Sequence, residues 1–475
     1  MGSAPRSWFG FPLALAALTL LAAALRLPFL DHQSLWFDEV FTRDIVGEPS
    51  LSALWHHVQA TESTPPLFYL VEWLCGGQGA VAMRLIPALA LIAAVPVGCL
   101  AFRPLIGERA ALATAAILAV SPNLVQFSLD ARAYGLLVLT ALLSLWGFAE
   151  LLESSQPRRY ALWVLACIAC VWTHYFGAFV VAAETALLVY ARPRARRQTL
   201  AATAAIAAFI APLIPLVVNQ TGDDRAAFIA GLSLGTRLTS TLRQFAMGAN
   251  VPRTWLEAVG LVLACGGAFT GAALAARAGE RRGRPRILLA LAAITFAAPL
   301  ALASLGIQDS FYERNLVATL PLVAALAAPA LLMARGAPLA LYLAVAAAAS
   351  IWTSVDWRYQ VFDWRGAVAR IEAIDPRAAV VTTAPFSEPV ARAYLRRGAA
   401  HAPVLARHAW LAVQPVRAAH HRDLGPGAPA PSSLPGFTPL RELDLHAFRL
   451  ILLGAPQPTR IAPGQPPGAV VFPGR

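Results

Sequence analysis

Apolar runs separated by short polar loops dominate this chain up to about residue 355. A helix needs roughly 20 consecutive apolar residues to cross a bilayer. On this basis the sequence predicts about eleven membrane-spanning helices. They occupy residues 9–30, 82–102, 109–128, 135–152, 160–173, 177–190, 199–218, 255–276, 287–305, 316–333 and 338–354.

Two apolar stretches have alternative interpretations. Residues 9–30 could be a cleaved signal peptide, but the run is longer than the roughly 7–15 residues of a signal-peptide core, which favours a retained first helix. Residues 65–76 begin at paired prolines and are too short to cross the membrane. They are therefore predicted to be re-entrant or interfacial.

The composition agrees with an integral membrane protein. Of the 475 residues, 58% are hydrophobic and 13% are charged, against roughly 25% charged residues in soluble proteins. The formal net charge of +12 comes from arginine, because the sequence contains no lysine. These arginines lie in short loops between apolar runs, so we interpret the charge as a determinant of topology and not as a nucleic-acid surface.

The five cysteines lie in or beside apolar runs. The motif Cys167-x-x-Cys170 falls inside a predicted spanning helix, where packing is a better explanation than redox or metal chemistry.

The loop charges predict the orientation of the chain. Two arginine-rich loops, 192–197 and 277–286, are predicted to face the cytoplasm by the positive-inside rule. Residues 31–64 carry several acids against the single Arg43, which predicts the outer side. The N-terminus is therefore predicted inside and the C-terminus outside.

A second domain is predicted from about residue 356, where the composition changes. We expect a membrane domain over residues 1–355 and a small extracytoplasmic α/β domain over 356–475. Helix-like and strand-like stretches alternate in the second part, as in α/β domains. They are helices at 367–374 and 388–397 and strands at 379–383 and 448–453. No Gly-x-Gly-x-x-Gly follows a strand there, so a nucleotide site is not expected; the Pro- and Gly-rich tail after Gly454 is predicted to be poorly ordered.

Two adjacent acids, Asp38 and Glu39, directly follow the first apolar run. The neighbouring Trp36, Phe37 and Phe41 suit a membrane interface. Ionisable residues held near a membrane are candidates for a functional site. The alternative is that both acids are solvated loop residues that help to set topology.

Three further polar sets end different predicted spans on the same predicted face. They are Asp130-x-Arg132-x-Tyr134, His174-Tyr175 and Tyr312-Glu313-Arg314. Together the sets offer a carboxylate base, guanidinium groups for a phosphate, and aromatic or imidazole groups to orient a sugar. The alternatives are a local helix-end pair for Asp130 with Arg132 and a hydrogen-bonded interfacial histidine for His174.

The order of these motifs resembles the C-type integral membrane glycosyltransferases. Within them it is similar to the bacterial relatives of protein O-mannosyltransferases and to the aminoarabinose transferases of lipid A. The motifs that carry the resemblance are Leu-Trp-Phe-Asp38-Glu39, Thr-Pro65-Pro66-Leu-Phe-Tyr, Arg84-Leu-Ile-Pro, Ser-Pro122, Asp130-Ala-Arg132-Ala-Tyr134, Thr-His174-Tyr175-Phe, Tyr312-Glu-Arg314-Asn and Asp363-Trp-Arg-Gly. The resemblance reaches to about residue 366, and the acid pair and Pro65-Pro66 are its most specific elements.

The resemblance implies a polytopic all-α membrane fold and transfer of a sugar from a polyprenyl-phosphate-linked donor. The acceptor would be a lipid, glycan or protein at the outer face of the bacterial inner (plasma) membrane, with membrane lipids as surroundings and no nucleic acid as partner. Asp38 would be the catalytic base. No cofactor is expected, and no obligatory metal, because the loop pair lacks the separated second acidic motif of metal-dependent oligosaccharyltransferases. Thr64 is a departure, since many relatives carry His or Lys before the paired prolines.

The mechanism predicted for the candidate residues is a single inverting displacement. Asp38 would accept the proton of the acceptor hydroxyl, with Glu39 either sharing the catalytic site or forming a structural pair with Arg43. The remaining candidates bind the donor phosphate or position the substrate. The phosphate-binding candidates are Arg132, Arg314 and Tyr312, and the positioning candidates are Asp130, Tyr134, His174, Tyr175 and Glu313.

Two other functional classes fit a polytopic chain less well. A transporter or lipid flippase would be expected to show internal repeats and ionisable groups near the middle of the membrane, and we find neither pattern in the sequence. A membrane scaffold or receptor with an outer α/β domain would leave the acid pair without a purpose.

Overall fold

A computed structural model of the chain describes residues 10–221, 229, 231–251, 253–279, 283–307, 311–356, 359, 361, 363–383, 387–413, 433–445 and 448–475. Part of the predicted loop 277–286, and the residues 308–310 shortly before Tyr312-Glu313-Arg314, therefore lie outside the described residues. Packing divides the chain into two compact units. The first contains residues up to Leu30 together with Ile45–Ile351, and the second contains Asp31–Asp44 together with Trp352–Arg475.

Most of the described chain is helical, and the C-terminal part adds a small sheet. The helices are α1 Gly10–Ala24, α2 Phe37–Val46, α3 Leu51–Thr61, α4 Leu67–Cys75, α5 Ala80–Ile106, α6 Glu108–Val120, α7 Pro122–Ser128, α8 Tyr134–Glu153, α9 Pro157–Thr173, α10 Gly177–Ala191, α11 Arg196–Ile210, α12 Ile214–Thr221, α13 Leu234–Met247, α14 Trp255–Ala276, α15 Arg284–Ser304, α16 Leu320–Leu331, α17 Ala337–Val355, α18 Trp364–Ile374 and α19 Ser387–Leu395. The strands are β1 Ala379–Thr382, β2 Val404–Val413, β3 Thr438–Leu445, β4 Phe448–Ile461 and β5 Val470–Phe472.

The polytopic helical fold is confirmed, but the count of eleven spans is not. Within the described residues, seven helical segments are long and apolar enough to cross a membrane, or eight if α6 and α7, which are bent by 53°, form one broken span. Each predicted run contains a helix, but α9, α10 and α16 have only 17, 15 and 12 residues. At 1.5 Å per residue such helices are shorter than the roughly 30 Å hydrocarbon core. The short α4, with 9 residues, agrees with a segment that does not cross.

A buried arginine stabilises the break between α6 and α7. Pro122 lacks a backbone N–H, so the last carbonyl groups of α6 cannot be satisfied by a continuing helix. The guanidinium group of Arg26, which is fully buried, donates to the carbonyl oxygens of Ala119 at 2.8 Å and Leu118 at 3.2 Å. Arg26 therefore supplies hydrogen-bond donors to carbonyl groups that the break in the helix leaves without backbone N–H partners.

An ionisable residue also lies within the apolar helix α10. The carboxylate oxygens of Glu184 accept hydrogen bonds from Trp163 Nε1 at 2.8 Å and from Ser144 Oγ at 3.0 Å. The thiol of Cys167 lies 3.8 Å from the same carboxylate. These contacts join α8, α9 and α10 and agree with a packing role for this cysteine.

Within its described residues, the second unit is built on a five-stranded sheet with the order β3-β4-β2-β1-β5. Strand β1 pairs in parallel with β2, while the other neighbours are antiparallel. All four residues of β1 are buried, as expected for a central strand. The predicted α/β character of this region is therefore confirmed, although β2, β3 and β5 were not predicted from the sequence.

The prediction of a poorly ordered tail after Gly454 is wrong. Strand β4 continues to Ile461, and Val471 of β5 pairs with Val381 of β1. Sequence composition suggested disorder because Pro and Gly are frequent there, but pairing with strands distant in sequence orders the backbone.

A glycine contact between α14 and α16 yields a stability prediction. A Cβ atom on Gly271 would overlap the carbonyl oxygen of Leu326, whereas a Cβ on Gly266, in the same helix, meets nothing within 4 Å. Both Gly→Ala changes should gain about 1 kcal/mol of helix propensity, but Gly271→Ala should lose more through overpacking, which typically costs about 1–3 kcal/mol. In detergent, we expect the thermal unfolding midpoint of Gly271→Ala to be lower than that of the parent protein. The midpoint of Gly266→Ala should equal or exceed the parent value. Equal midpoints for the two variants would contradict this close packing.

Candidate active site

The acid pair opens α2, and its two carboxylates have different environments. The backbone N–H of Trp36 donates to Glu39 Oε2 at 3.1 Å, which is the acidic half of a capping box. Glu39 is fully buried, whereas Asp38 is half-buried. Asp38 is the second residue of the helix, where the helix dipole stabilises negative charge. The structure thus gives Glu39 a capping contact and leaves Asp38 closer to solvent.

Arg43 has a different partner from the one suggested by the sequence. Its guanidinium group donates to Asp44 Oδ1 at 3.2 Å. Both side chains are about a quarter to a third exposed, and exposed pairs of this kind contribute little stability. The suggested pairing of Glu39 with Arg43 is thus replaced by an Arg43–Asp44 pair, and Glu39 accepts a capping hydrogen bond from Trp36.

In the first unit, Arg132 forms a bidentate ion pair with Glu62. Its two terminal nitrogens donate to the two carboxylate oxygens at 2.8 and 2.7 Å. The side chains are 11% and 4% exposed, so this is a buried pair in the strongest geometry available to arginine and carboxylate. The guanidinium carbon also lies 5.9 Å from the ring centroid of Tyr69. Glu62, one of the acids of loop 31–64, is thus the side-chain partner that fixes Arg132.

His174 is held as a neutral imidazole. It is 3% exposed, and its Nδ1 accepts a hydrogen bond from the backbone N–H of Phe176 at 3.2 Å. Burial, together with the positive charges of Arg314 and Arg132, lowers the pKa of His174 to about 3. Because Nδ1 is an acceptor, the single proton of the ring lies on Nε2. The ring of Tyr134 lies 6.0 Å from the imidazole, centroid to centroid.

The segment Tyr312-Glu313-Arg314 is held by residues of α13. Gln244 Nε2 donates to Glu313 Oε1 at 2.6 Å, and Arg237 donates to the carbonyl oxygen of Phe311 at 3.3 Å. Burial raises the pKa of Glu313, while the hydrogen bond from Gln244 opposes the shift. The guanidinium carbon of Arg314 lies 5.5 Å from the ring centroid of Tyr312, a distance at which a cation–π interaction forms.

Gln220 connects three separate stretches of the first unit. Its side-chain oxygen accepts a hydrogen bond from Tyr175 at 2.7 Å, and its amide nitrogen donates to the carbonyl oxygens of Val58 and Thr64 at 3.3 and 3.5 Å. Burial raises the pKa of Tyr175 above its ordinary value, so the phenol is a neutral donor. Gln220 thus ties the loop before Pro65-Pro66 to the residues that follow α9.

We call the residues Glu62, Arg132, Tyr134, His174 and Arg314 the arginine–histidine cluster. Glu62 is hydrogen-bonded to Arg132, and the ring of Tyr134 lies beside the imidazole of His174. Arg132 and Arg314 lie close enough to this imidazole for their positive charges to lower its pKa. Asp130 lies in the turn between α7 and α8, where its carbonyl oxygen accepts a hydrogen bond from the backbone N–H of Arg132 at 2.7 Å. The sequence suggested Asp130 as a side-chain partner of Arg132. In the structure Arg132 pairs with Glu62, which is farther away in sequence.

Sequence reasoning missed several residues that hold the candidate side chains. They are Glu62 as the partner of Arg132, and Gln220, Arg237 and Gln244 as hydrogen-bonding residues. The available signal for Glu62 was its place directly before Ser-Thr-Pro65-Pro66. The other three lie in or near a long polar stretch whose partners are distant in sequence, so no local pattern marked them.

Chemically, the cluster is suited to an anion. Two arginines and a neutral N–H donor can bind a phosphate, although Glu62 offsets part of the charge of Arg132, and a buried site strengthens each such contact. Within the described residues, no group of three or more His, Cys, Asp or Glu side chains is arranged to hold a metal ion. The absence of a required metal stays a prediction.

Part of the chain matches a known protein family. Residues 63–221 match the family model described as dolichyl-phosphate-mannose-protein mannosyltransferase. This segment is less than half of the chain and includes Arg132, His174 and Gln220. No curated protein sequence matches the chain.

The fold matches solved structures of ArnT from Cupriavidus metallidurans. The form bound to undecaprenyl phosphate has a TM-score of 0.55 at 14% identity, over 94% of this chain and 98% of that chain. The apo form gives a TM-score of 0.55 at 15% identity over the same shares. At these identities the likeness shows the fold, and with the family match it confirms the resemblance to C-type membrane glycosyltransferases.

A weaker match is the archaeal oligosaccharyltransferase AglB from Archaeoglobus fulgidus, in complex with an inhibitory peptide and a dolichol-phosphate. Its TM-score is 0.48 at 14% identity, over 82% of this chain and 64% of that chain. A similarity at this level carries no further conclusion for the chain.

The Glu62–Arg132 pair leads to a prediction about stability. Removing one partner of a buried ion pair leaves an uncompensated charge and typically costs about 3–5 kcal/mol. Glu62→Gln and Arg132→Gln should therefore each lower the free energy of unfolding in mixed micelles, and the double variant should lose less than the sum of the two. Additive losses would show that the pair is not coupled. The exposed pair of Arg103 with Glu108, at 2.8 Å, is the control and should show little coupling.

Proposed function

We propose that this protein, which has the fold of C-type membrane glycosyltransferases, transfers a sugar from a polyprenyl-phosphate carrier to an acceptor outside the cytoplasm. The observation that carries the proposal is the pair of arginines beside the neutral His174, because such a site suits the phosphate of a lipid-linked donor. The fold match to ArnT bound to undecaprenyl phosphate and the family match over residues 63–221 support it. The sugar, and the choice among lipid, glycan and protein acceptors, are left to the experiment below.

Asp38 is assigned as the general base. It is the less buried of the two adjacent acids, and Glu39 already accepts the backbone N–H of Trp36. Asp38 would take the proton of the acceptor hydroxyl as that oxygen attacks the anomeric carbon and the bond to the carrier phosphate breaks. A single displacement of this kind inverts the configuration at the anomeric carbon.

Arg132 and Arg314 are assigned to the carrier phosphate. The phosphate gains negative charge as the glycosidic bond breaks, and fixed guanidinium groups stabilise that charge without reorganising. The Nε2–H of His174 is a third donor, and it carries no charge of its own at neutral pH because its pKa is about 3. Tyr134, Tyr175, Tyr312, Asp130 and Glu313 are assigned to positioning the sugar and the phosphate.

The orientation that this reaction requires is the one predicted from the loop arginines. Residues 192–197 and 277–286 would face the cytoplasm, while 31–64 and 356–475 would face outward, in a bacterial inner membrane.

The orientation can be tested with two introduced cysteines. Pro49 and Arg194 are both exposed, and the five native cysteines can be replaced by alanine or serine. In intact cells, an impermeant thiol reagent should label Pro49→Cys and should label Arg194→Cys only after permeabilisation. Labelling of both positions from the same side would overturn the topology.

The function is tested by supplying membranes that contain the protein with a panel of polyprenyl-phosphate sugars labelled in the sugar. We expect one label to move to a membrane lipid, a glycan or a protein, and to move only when the intact chain is present. Accumulation of a substrate inside vesicles without any transfer of label would favour a transporter and overturn the proposal.

The roles of two residues are then separated by their kinetics. Asp38→Asn keeps the shape of the side chain but removes the proton acceptor, so the transfer rate should fall by about 10²–10⁴ with carrier affinity nearly unchanged. Arg314→Ala removes a charge contact to the phosphate and should weaken carrier binding as well as turnover. Asp44→Asn, the same chemical change later in α2, is the matched control and should retain activity.

Near-normal transfer by Asp38→Asn would remove Asp38 from the role of base. Glu39 would then be the next candidate. It should be tested as Glu39→Gln, because glutamine can keep the capping contact to Trp36.

A further inference from the structure

The acid helix is anchored by the C-terminal part of the chain. Residues Asp31–Asp44 pack in one compact unit with Trp352–Arg475, although more than 300 residues separate the two segments. A loop that only connected two membrane helices would not be expected to pack with such a distant part of the chain. This grouping suggests that the C-terminal residues act on the segment that carries Asp38.

The first anchor lies at the start of α18. Asp363 caps this helix: its Oδ1 accepts the backbone N–H of Gly366 at 2.9 Å. The same oxygen accepts a hydrogen bond from Ser34 Oγ at 3.0 Å, and Ser34 Oγ in turn accepts the backbone N–H of Arg365 at 3.0 Å. Ser34 is 1% exposed and Asp363 is half-buried, so this reciprocal contact is partly shielded from water, which strengthens its hydrogen bonds.

The second anchor comes from α19. The backbone N–H of Leu35, a residue that is 5% exposed, donates to the phenol oxygen of Tyr394 at 2.7 Å. Leu35 therefore uses a side chain of the C-terminal segment as its acceptor. A third contact, between Arg365 and Asp31 at 2.6 Å, is exposed and adds little to the stability of the unit.

These anchors act on consecutive residues directly before α2. Ser34 is held by Asp363, Leu35 by Tyr394, and Trp36 by Glu39 of the same helix. Asp38 follows two residues later, on the first turn. Two of these contacts tie the segment to the C-terminal part and the third caps α2, so together they set the position and direction of the helix start from which Asp38 projects.

We propose that Ser34, Asp363 and Tyr394 are positioning residues for Asp38, and that the C-terminal α/β part of the chain serves to hold the base in place for sugar transfer. This inference rests on the proposed function, in which Asp38 is the base. Its chemical basis is that a general base must keep hydrogen-bonding distance to the proton it removes, and a displacement of about 1 Å can cost about 10²-fold in rate.

The test compares variants of the full-length protein in the transfer assay. Ser34→Ala and Tyr394→Phe each remove one anchor and should lower kcat by about 10- to 100-fold, while KM for the polyprenyl-phosphate donor stays close to the parent value. The protein should stay folded, with a lower thermal midpoint in Tyr394→Phe because the backbone N–H of Leu35 loses its acceptor. The matched controls are Ser304→Ala, an exposed serine that bonds within its own helix, and Tyr190→Phe, an 82% exposed tyrosine. Both controls should keep normal kcat.

Asp363 provides a rescue experiment that a purely structural contact would not reproduce. Asp363→Asn retains an oxygen that can accept from both Gly366 and Ser34, and asparagine caps helices as well as aspartate. It should keep most of the activity, whereas Asp363→Ala should lose kcat to the same degree as Ser34→Ala. Equal losses in Asp363→Asn and Asp363→Ala would overturn the proposed role of this oxygen.

A double variant separates failure of this inference from failure of the proposed function. If Ser34 acts through Asp38, Ser34→Ala should cause little further loss in an Asp38→Asn background. Normal kcat in Ser34→Ala and Tyr394→Phe, with Asp38→Asn inactive, would overturn the positioning role alone. Normal kcat in Asp38→Asn would instead overturn the assignment of the base. A parallel loss of carrier binding and kcat in Ser34→Ala would indicate general damage and would also overturn the positioning role.

Discussion

Polar groups on apolar helices must find partners within the protein, and this constraint organises the structure. An unpaired charge or backbone group away from water costs several kcal/mol. Arg26 therefore donates to the carbonyl oxygens left at the end of α6, and Glu184 accepts from Trp163 and Ser144. In both cases one buried polar side chain joins different helices of the first unit.

The same constraint explains the geometry of the arginine–histidine cluster. Arg132 is held by Glu62 in a buried bidentate pair, so its direction is fixed whether or not a ligand is present. His174 is not paired with a charge. It stays neutral, and its Nδ1 accepts a hydrogen bond from the backbone N–H of Phe176. A fixed guanidinium and a neutral N–H donor are both ready for an anion before it arrives, which is the preorganisation that charge stabilisation requires.

Local patterns in the sequence predicted a large part of this arrangement. Apolar runs located the helices, and polar residues at the ends of those runs pointed to Arg132, His174 and Arg314, because both signals lie within one stretch of chain. Glu62 and Gln220 were missed as partners, since their contacts join residues 70 and 45 positions apart. The ordered tail was missed for the same reason, because Val471 pairs with Val381.

Asp38 and Glu39 are adjacent in sequence, which suggested that their carboxylates could act together. Both lie in the first turn of α2, where the helix directs their side chains differently. Successive residues of an α-helix are rotated by about 100° about its axis, so neighbouring side chains do not point at the same target. Glu39, at the third position, turns back to the N–H of Trp36 and is buried, whereas Asp38 at the second position keeps partial exposure. One acid thus starts the helix from which the other projects. The two acids are neighbours in sequence but have different surroundings. This geometry favours a reaction that needs one carboxylate base over one in which two carboxylates share a proton.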